Sequence, residues 1–317
     1  VTFAVSFSAQ TKNELARIEG STCCRVAELA ALVMFSGRFT PGGGLVVTTE
    51  NAAVARKVFK ALKALFGLSV RVEVRRKQRL KKNNEYLIQV ENQEGLKSAQ
   101  EKMALITASG RSRSGLKWDL VRRECCRRAY LRGAFLARGS VSSPRGAYHL
   151  EITVTGRKMA ANLAGLMQKL GLEGRYSPRK RGWVVYIKDG EQVAGALNLM
   201  GAHAALLSFE NARIYKDMRN QVNRLVNCDT ANVSKTVLAG VRQEKSIRLV
   251  VERLGLENLS PPLRQVARLR LQNPEVSLRE LGEMAQPPLS KSCINHRLRK
   301  LERIALCLTE TQKQSGA

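Results

Sequence analysis

Acidic residues are scarce in this 317-residue chain: 26 Asp and Glu, only four of them Asp, stand against 54 Lys and Arg, a formal charge of +28. Aromatic residues are also few, at 5%, which argues against the broad stacking platform of a single-strand binder. No apolar run approaches the ~18 residues of a membrane span, and no signal-peptide pattern opens the chain. The chain starts at Val1, which leaves the natural N-terminus open. Its seven cysteines include two adjacent pairs, Cys23-Cys24 and Cys125-Cys126, but no C-x-x-C, and only three histidines accompany them. That pattern counts against a zinc site and predicts reduced, buried thiols in a cytosolic protein that needs no cofactor. With 44% hydrophobic and 25% charged residues, the chain can bury real cores, and its length fits about two domains. The cationic surplus points to a polyanionic partner, DNA or RNA ahead of an acidic membrane face.

An internal repeat organises the first two thirds. STCCRVAELAALVMFSGRF (21–39) aligns with RECCRRAYLRGAFLARGSV (123–141), matching at Cys23/Cys125, Cys24/Cys126, Arg25/Arg127, Ala27/Ala129, Leu29/Leu131 and Gly37/Gly139. Repeats come first in the reading because they fix architecture. Each motif helix ends at its glycine. A Gly- or Pro-containing turn follows, then a β segment, LVVTT or YHLEITVT, and an amphipathic helix, 55–68 or 159–172. Two strand-like stretches split by a basic turn and a closing helix complete each copy. The predicted fold is α+β, a duplicated αββαββα with repeats at about 20–107 and 122–202 inside a domain spanning 1–207. Small residues on the motif helices (Ala27, Ala30 and Ala31; Ala129, Gly133, Ala134 and Ala137) place the two helices side by side at a pseudo-twofold axis.

LAALVMFSG (29–37) and LRGAFLARG (131–139) resemble the two motifs of LAGLIDADG homing endonucleases, a family built on this saddle. In that family the penultimate motif residue is an acid that holds divalent metal at the scissile phosphate. The matching positions here are Ser36 and Arg138, and neither can do the carboxylate's job of positioning a hard cation to activate water. No compensating acid lies in either motif, so the resemblance implies a saddle without its nuclease activity. RRKQRLKK (75–82) and PRKRG (178–182) fall in equivalent turns, which makes Arg76, Lys77, Lys180 and Arg181 candidate phosphate contacts.

From Phe209 to Gly255 the pattern is helical, a connector over 208–258. Arg219, Asn220, Asn223, Arg224 and Asn227 form a polar stripe on it, with Arg219, Asn223 and Arg224 as further phosphate candidates. NCDTAN (227–232) reads as a helix break capped by Asp229 or Thr230.

The last segment, 259–317, reads as an all-α helix-turn-helix domain. Ser260-Pro261-Pro262 opens a helix that Asn273-Pro274 stops. Ser277 and Glu280 form a capping box, with Leu278, Leu281 and Met284/Ala285 as a short buried face. After QPPL, Ser290 caps a helix whose apolar positions are Ile294, Leu298, Leu301 and Ile304. The opposite face carries Lys291, Ser292, Asn295, His296 and Arg299. Arg pairs with guanine and Asn with adenine in the major groove, while Ser and Lys hold phosphate. Ser277, Ser290, Lys291, Ser292, Asn295, His296 and Arg299 are the candidate DNA-binding residues.

A degenerate LAGLIDADG pseudo-dimer followed by a helix-turn-helix resembles the WhiA family of sporulation and cell-division transcription regulators. CCRRAYLRGAFLARGSVSSP, RNQVNRLVNCDTANVSKT and LRELGEMAQPPLSKSCINHRLRKL carry the resemblance. It implies a non-enzymatic, nucleoid-associated cytoplasmic factor that binds promoter DNA. It also names an iron–sulfur regulator of the WhiB type as a candidate partner. An active homing endonuclease and an RNA-binding maturase on the same fold are the alternatives.

Overall fold

A computed structural model of the chain describes residues 5–76, 84–107 and 109–314, with the backbone alone for 311–314. Helix α1 (Phe7–Leu15) comes first, capped by the Ser6 hydroxyl, which accepts from the Ala9 amide at 3.3 Å. The first repeat follows as α2 (Thr22–Ser36), β1 (Gly37–Phe39), β2 (Leu45–Thr49), α3 (Ala52–Phe66), β3 (Arg71–Arg76), β4 (Asn84–Val90) and α4 (Leu96–Lys102). The second is α5 (Glu124–Arg138), β5 (Gly139–Val141), β6 (Leu150–Val154), α6 (Arg157–Gln168), β7 (Arg175–Arg179), β8 (Gly182–Ile187) and α7 (Gly190–Met200). The sheets have the same antiparallel order, β1-β2-β4-β3 and β5-β6-β8-β7. This is the duplicated αββαββα expected from the sequence.

The two motif helices pack at backbone-to-backbone range. A Cβ on Gly133 would lie 2.3 Å from the Glu28 carbonyl oxygen and 2.9 Å from the Ala31 Cβ, so only glycine permits this approach. Ala27, Ala30, Ala31, Ala129 and Ala134 are buried around it. Between them, the helices bury a charge cluster that the sequence pattern did not disclose. Glu28, 2% exposed, accepts from Arg132 Nε and Nη2, both at 3.2 Å, and faces Lys57 Nζ at 2.9 Å. Arg132 Nη1 also donates to the Met200 carbonyl at 3.1 Å, and Lys57 Nζ to the Ile18 carbonyl at 2.5 Å. One carboxylate thus holds cations from two other elements, and removing it would leave buried Arg132 without its counter-charge and half-buried Lys57 with Glu19 alone.

Helix α8 (His203–Leu254) begins on this body, where the Glu14 carboxylate accepts from the Ala204 and Ala205 amides at 2.7 and 3.0 Å. It runs through 227–232 without the break read from NCDTAN. There is no proline or glycine from 202 to 239, and each Asn or Asp costs a helix only about 0.7 kcal/mol. The polar side chains on this stretch are exposed or bond within the helix, as Thr236 Oγ1 does to the Asn232 carbonyl at 3.0 Å. Helix continuation therefore wins. The chain divides into two compact units, Val1–Asp217 and Met218–Ala317, and the division falls inside α8.

In the second unit, α9 (Pro261–Gln272), α10 (Leu278–Glu283) and α11 (Lys291–Gln314) surround Val266, Leu281, Ile294, Leu298 and Leu301, with Ile247 and Val250 of α8 in the same core. Gly282 permits the tight turn before α11, since a Cβ there would meet the Leu289 carbonyl oxygen at 2.2 Å. Buried Arg270 donates through Nη1 to the carbonyls of Asn273, Pro274 and Val276 at 3.3, 3.3 and 2.7 Å, fixing the α9–α10 loop. Two sequence details differ. Ser260 occupies the N-cap of α9 without a side-chain bond, and Met284 is 49% exposed, leaving Ala285 to fill the core beside Leu281. No helix among the described residues is long and apolar enough to cross a membrane.

Candidate nucleic-acid interface

The helix-turn-helix is built from local signals that agree with one another. Ser277 Oγ accepts from the Glu280 amide at 3.3 Å, and Glu280 Oε2 accepts from the Ser277 amide at 2.9 Å. Those bonds from Ser277 hold the Glu280 carboxyl below the usual range. Ser290 Oγ accepts from the Cys293 amide at 3.2 Å. Both serines among the candidate contacts therefore serve as helix caps. With Ile294, Leu298 and Leu301 buried, Lys291, Ser292, His296 and Arg299 are exposed and Asn295 is half-exposed. Lys300 and Arg303 are exposed one turn beyond His296 and Arg299 and line a cavity with His296. The i, i+4 spacing 296–300 and 299–303 was the signal for them. Arg297 instead turns back to Gln265 Oε1 at 3.3 Å. Among the described residues no carboxylate pairs with Lys291, Arg299, Lys300 or Arg303.

The sheets offer a second surface. Strand alternation places Val47, Ile88, Ile152 and Val185 against the helices, so the paired residues Arg71, Glu73 and Arg75 of β3 and Arg175 and Arg179 of β7 lie on the opposite face. The sequence candidates are displaced from this face. Arg76 is exposed at the end of β3 but sits on the same side as Val72 and Val74, and Lys77 lies outside the described residues. Lys180 and Arg181 are exposed in the two-residue β7–β8 turn. Arg71 and Arg175 were legible from the alternation in RVEVRR and RYSPR. Arg219, Asn223 and Arg224 are exposed on α8.

The two degenerate nuclease positions are brought together at the C-terminal ends of α2 and α5. Arg138 Nε donates to the Phe35 carbonyl at 3.0 Å, and Ser36 Oγ to the Leu32 carbonyl at 2.6 Å. A cation there satisfies the negative end of a helix dipole that a carboxylate would oppose. Arg113 and Arg181 line a cavity with Arg138. On another side of Arg138 a cavity is lined by Lys12, Glu50 and Glu85. The motif sequences contain no compensating acid, yet the fold delivers these two from β4 and the end of β2. They arrive with Lys12 and Arg138, whose positive charges oppose a divalent ion. Burial pushes the Lys12 ammonium down to about 8, with Glu50 raising it and Arg138 lowering it further.

Comparison with known proteins adds to this geometry. The WhiA N-terminal LAGLIDADG-like domain matches residues 22–106, the WhiA LAGLIDADG-like domain 127–219, and the WhiA C-terminal HTH domain 222–305. A "Probable cell division protein WhiA" of Desulforudis audaxviator is 76% identical across 95% of this chain and 97% of its own length. The chain belongs to the WhiA family. A relative of the same description from Desulforamulus reducens is 52% identical over 98% of this chain and 99% of its own. The crystal structure of full-length WhiA from Thermatoga maritima, 27% identical, aligns with a TM-score of 0.60 over 95% of this chain and 98% of that one. The WhiA helix-turn-helix match begins within α8, the helix that supplies Ile247 and Val250 to the second unit's core.

Proposed function

We propose that this chain is a non-enzymatic regulator of transcription that binds specific double-stranded DNA and controls cell-division and sporulation genes. The observation that carries the reading is the α11 face: Lys291, Ser292, Asn295, His296 and Arg299 turned to solvent, opposite a packed apolar stripe, with no carboxylate among the described residues on its cations. A helix of this kind suits the major groove, where Arg299 would pair with guanine and Asn295 with adenine while Lys291 and Ser292 hold phosphate. Ser277 and Ser290 contribute by capping, leaving their exposed helix ends to approach the backbone. The division of labour follows residues 1–207 as the saddle, 208–258 as the connector and 259–317 as the reader. The saddle adds phosphate contacts through Arg76, Lys77, Lys180 and Arg181, and the connector through Arg219, Asn223 and Arg224. Joining two weak binders raises affinity without new contacts.

Ser36 and Arg138 support the absence of cleavage. Where a nuclease aims two carboxylates at a metal, this chain aims a hydroxyl at its own helix and a guanidinium at the helix beside it. With Arg113 and Arg181 alongside, the position suits a phosphate directly. The factor would act in the cytoplasm at the nucleoid. An iron–sulfur partner of the WhiB type rests on the family resemblance alone.

The test is a genome-wide footprint of tagged full-length protein, then titration of the recovered duplex against a scrambled one at physiological salt. A preference of at least 10³-fold is expected of a specific binder, and equal affinity would overturn the reading. Plasmid incubated with magnesium and stoichiometric protein should remain uncut.

A further inference from the structure

We propose that Cys23, Cys24, Cys125 and Cys126 form a tetrathiolate site for a single zinc ion that clasps the two repeats together. The pairs occupy equivalent positions in the first turns of α2 and α5, and the close packing of these helices converges them. All four Sγ atoms lie within 4.8 Å of one another, and those of Cys125 and Cys126 are 4.0 Å apart. With Zn–S bonds of about 2.3 Å, a tetrahedral site has sulfur–sulfur edges of ~3.8 Å. The cluster therefore needs to contract by no more than about 1 Å. It is too open for a disulfide, whose sulfurs are about 2 Å apart, and too tight for the inorganic core of a polynuclear iron–sulfur cluster.

The surroundings suit the ion. Four thiols give up four protons to solvent as Zn²⁺ binds, leaving a complex of charge −2 with no change of oxidation state. All four thiols sit in the first turns of two helices, whose positive dipole ends favour negative charge. A cavity beside Cys23 and Cys126 is lined by Arg122, Arg123 and Lys102, with Asp119 the acid among them. The Ser21 hydroxyl lies 3.3 Å from the Sγ atoms of both Cys23 and Cys24, placed to orient them as an outer-shell donor. Cys24 and Cys126 are buried with Ala27 and Ala129, while Cys125 is exposed and gives the ion a way in. The missing C-x-x-C counted against zinc because a single knuckle normally supplies two ligands. Here the duplication supplies them, one adjacent pair from each repeat. The site lies about 20 Å along the helices from Ser36 and Arg138.

The test uses full-length protein purified under reducing, anaerobic conditions without chelator. Elemental analysis should give one zinc per chain, and exchange with Co²⁺ should give thiolate-to-cobalt charge transfer and the visible bands of a tetrahedral site. The triple variant Cys228→Ser, Cys293→Ser, Cys307→Ser should keep both signals. Cys125→Ser, at the exposed ligand, should weaken cobalt affinity at least tenfold while circular dichroism remains that of the wild type. Folded wild type with neither zinc nor cobalt bands would overturn the proposal. So would signals lost in the triple variant but retained in Cys125→Ser, or an intact mass showing a disulfide within the cluster in the anaerobic preparation.

Discussion

Helix α11 and the sheet face of the saddle both present arginine and lysine to solvent, but carboxylates meet several of those on the sheet. On α11, Lys291, Arg299, Lys300 and Arg303 pair with no carboxylate among the described residues. On the sheets, Arg71 meets Glu91 at 2.9 Å, Arg75 meets Glu73 at 2.6 Å, and Arg179 meets Glu151 at 3.6 Å. Within the saddle the same logic deepens, with Arg132 and Lys57 spent on Glu28 and Arg138 on a helix end. A chain of charge +28 thus distributes its cations by role. Several of the saddle's cations are tied to carboxylates or to a helix end, and the four named on α11 are not. Since an exposed ion pair is worth only about 0–1 kcal/mol, the sheet arginines can still exchange a carboxylate for a phosphate.

The strongest way to break this comparison is Glu28→Ala. If the saddle's interior cations are structural, deleting their shared carboxylate should cost about 3–5 kcal/mol, read as a lowered denaturation midpoint. An unchanged midpoint would remove the structural assignment. Lys12→Met probes the same division through pH. Burial lowers the folded-state pKa of Lys12 from 10.5 to about 8, so the unfolded chain binds the extra proton between those values. The charged side chain therefore costs stability below pH 8, by up to about 3 kcal/mol, and the cost fades as pH rises towards 10.5. Lys12→Met should be more stable than wild type at pH 7, and their difference should shrink between pH 8 and 10.

On the α11 side, Asn295→Ala and Arg299→Ala should each reduce discrimination between the recovered and scrambled duplexes by about 1–3 kcal/mol, at different base positions. Both should leave the unfolding midpoint nearly unchanged because neither side chain is buried. Loss of affinity equal for both duplexes would demote these residues from base readers to backbone contacts.

Much of this architecture was legible because duplication writes itself twice. The paired cysteines and the glycines 37 and 139 gave the register of α2 on α5, and the capping signals at Ser277 and Ser290 gave the helix-turn-helix. What was hidden depends on distance in sequence. Helix α1 has no copy in the second repeat, so no alignment exposed it. Glu28 lies in a motif helix like any surface acid until the fold brings up Arg132 and Lys57. Glu50 and Glu85 reach the degenerate site from strands, outside any motif. In α8 the Asn and Asp residues suggested a break, yet helix propensity is too weak a penalty to interrupt a segment free of proline. The cysteines were read as separate thiols although their matched positions already implied a meeting at the pseudo-twofold axis.

The smallest expected effect gives the finest test of the comparison. Glu73→Gln with Glu151→Gln removes two of the carboxylates that neutralise the sheet face, freeing Arg75 and Arg179. If that face touches phosphate, the double variant should bind any duplex a few-fold more tightly. Its plot of log K against log salt should steepen by about one or two units, since each phosphate neutralised contributes about 0.9. If base readout resides on α11, discrimination between duplexes should not change. An unchanged slope would mean that this face of the saddle stays off the DNA. A gain in discrimination would mean that the saddle reads sequence as well, and the separation of roles between the two surfaces would fall.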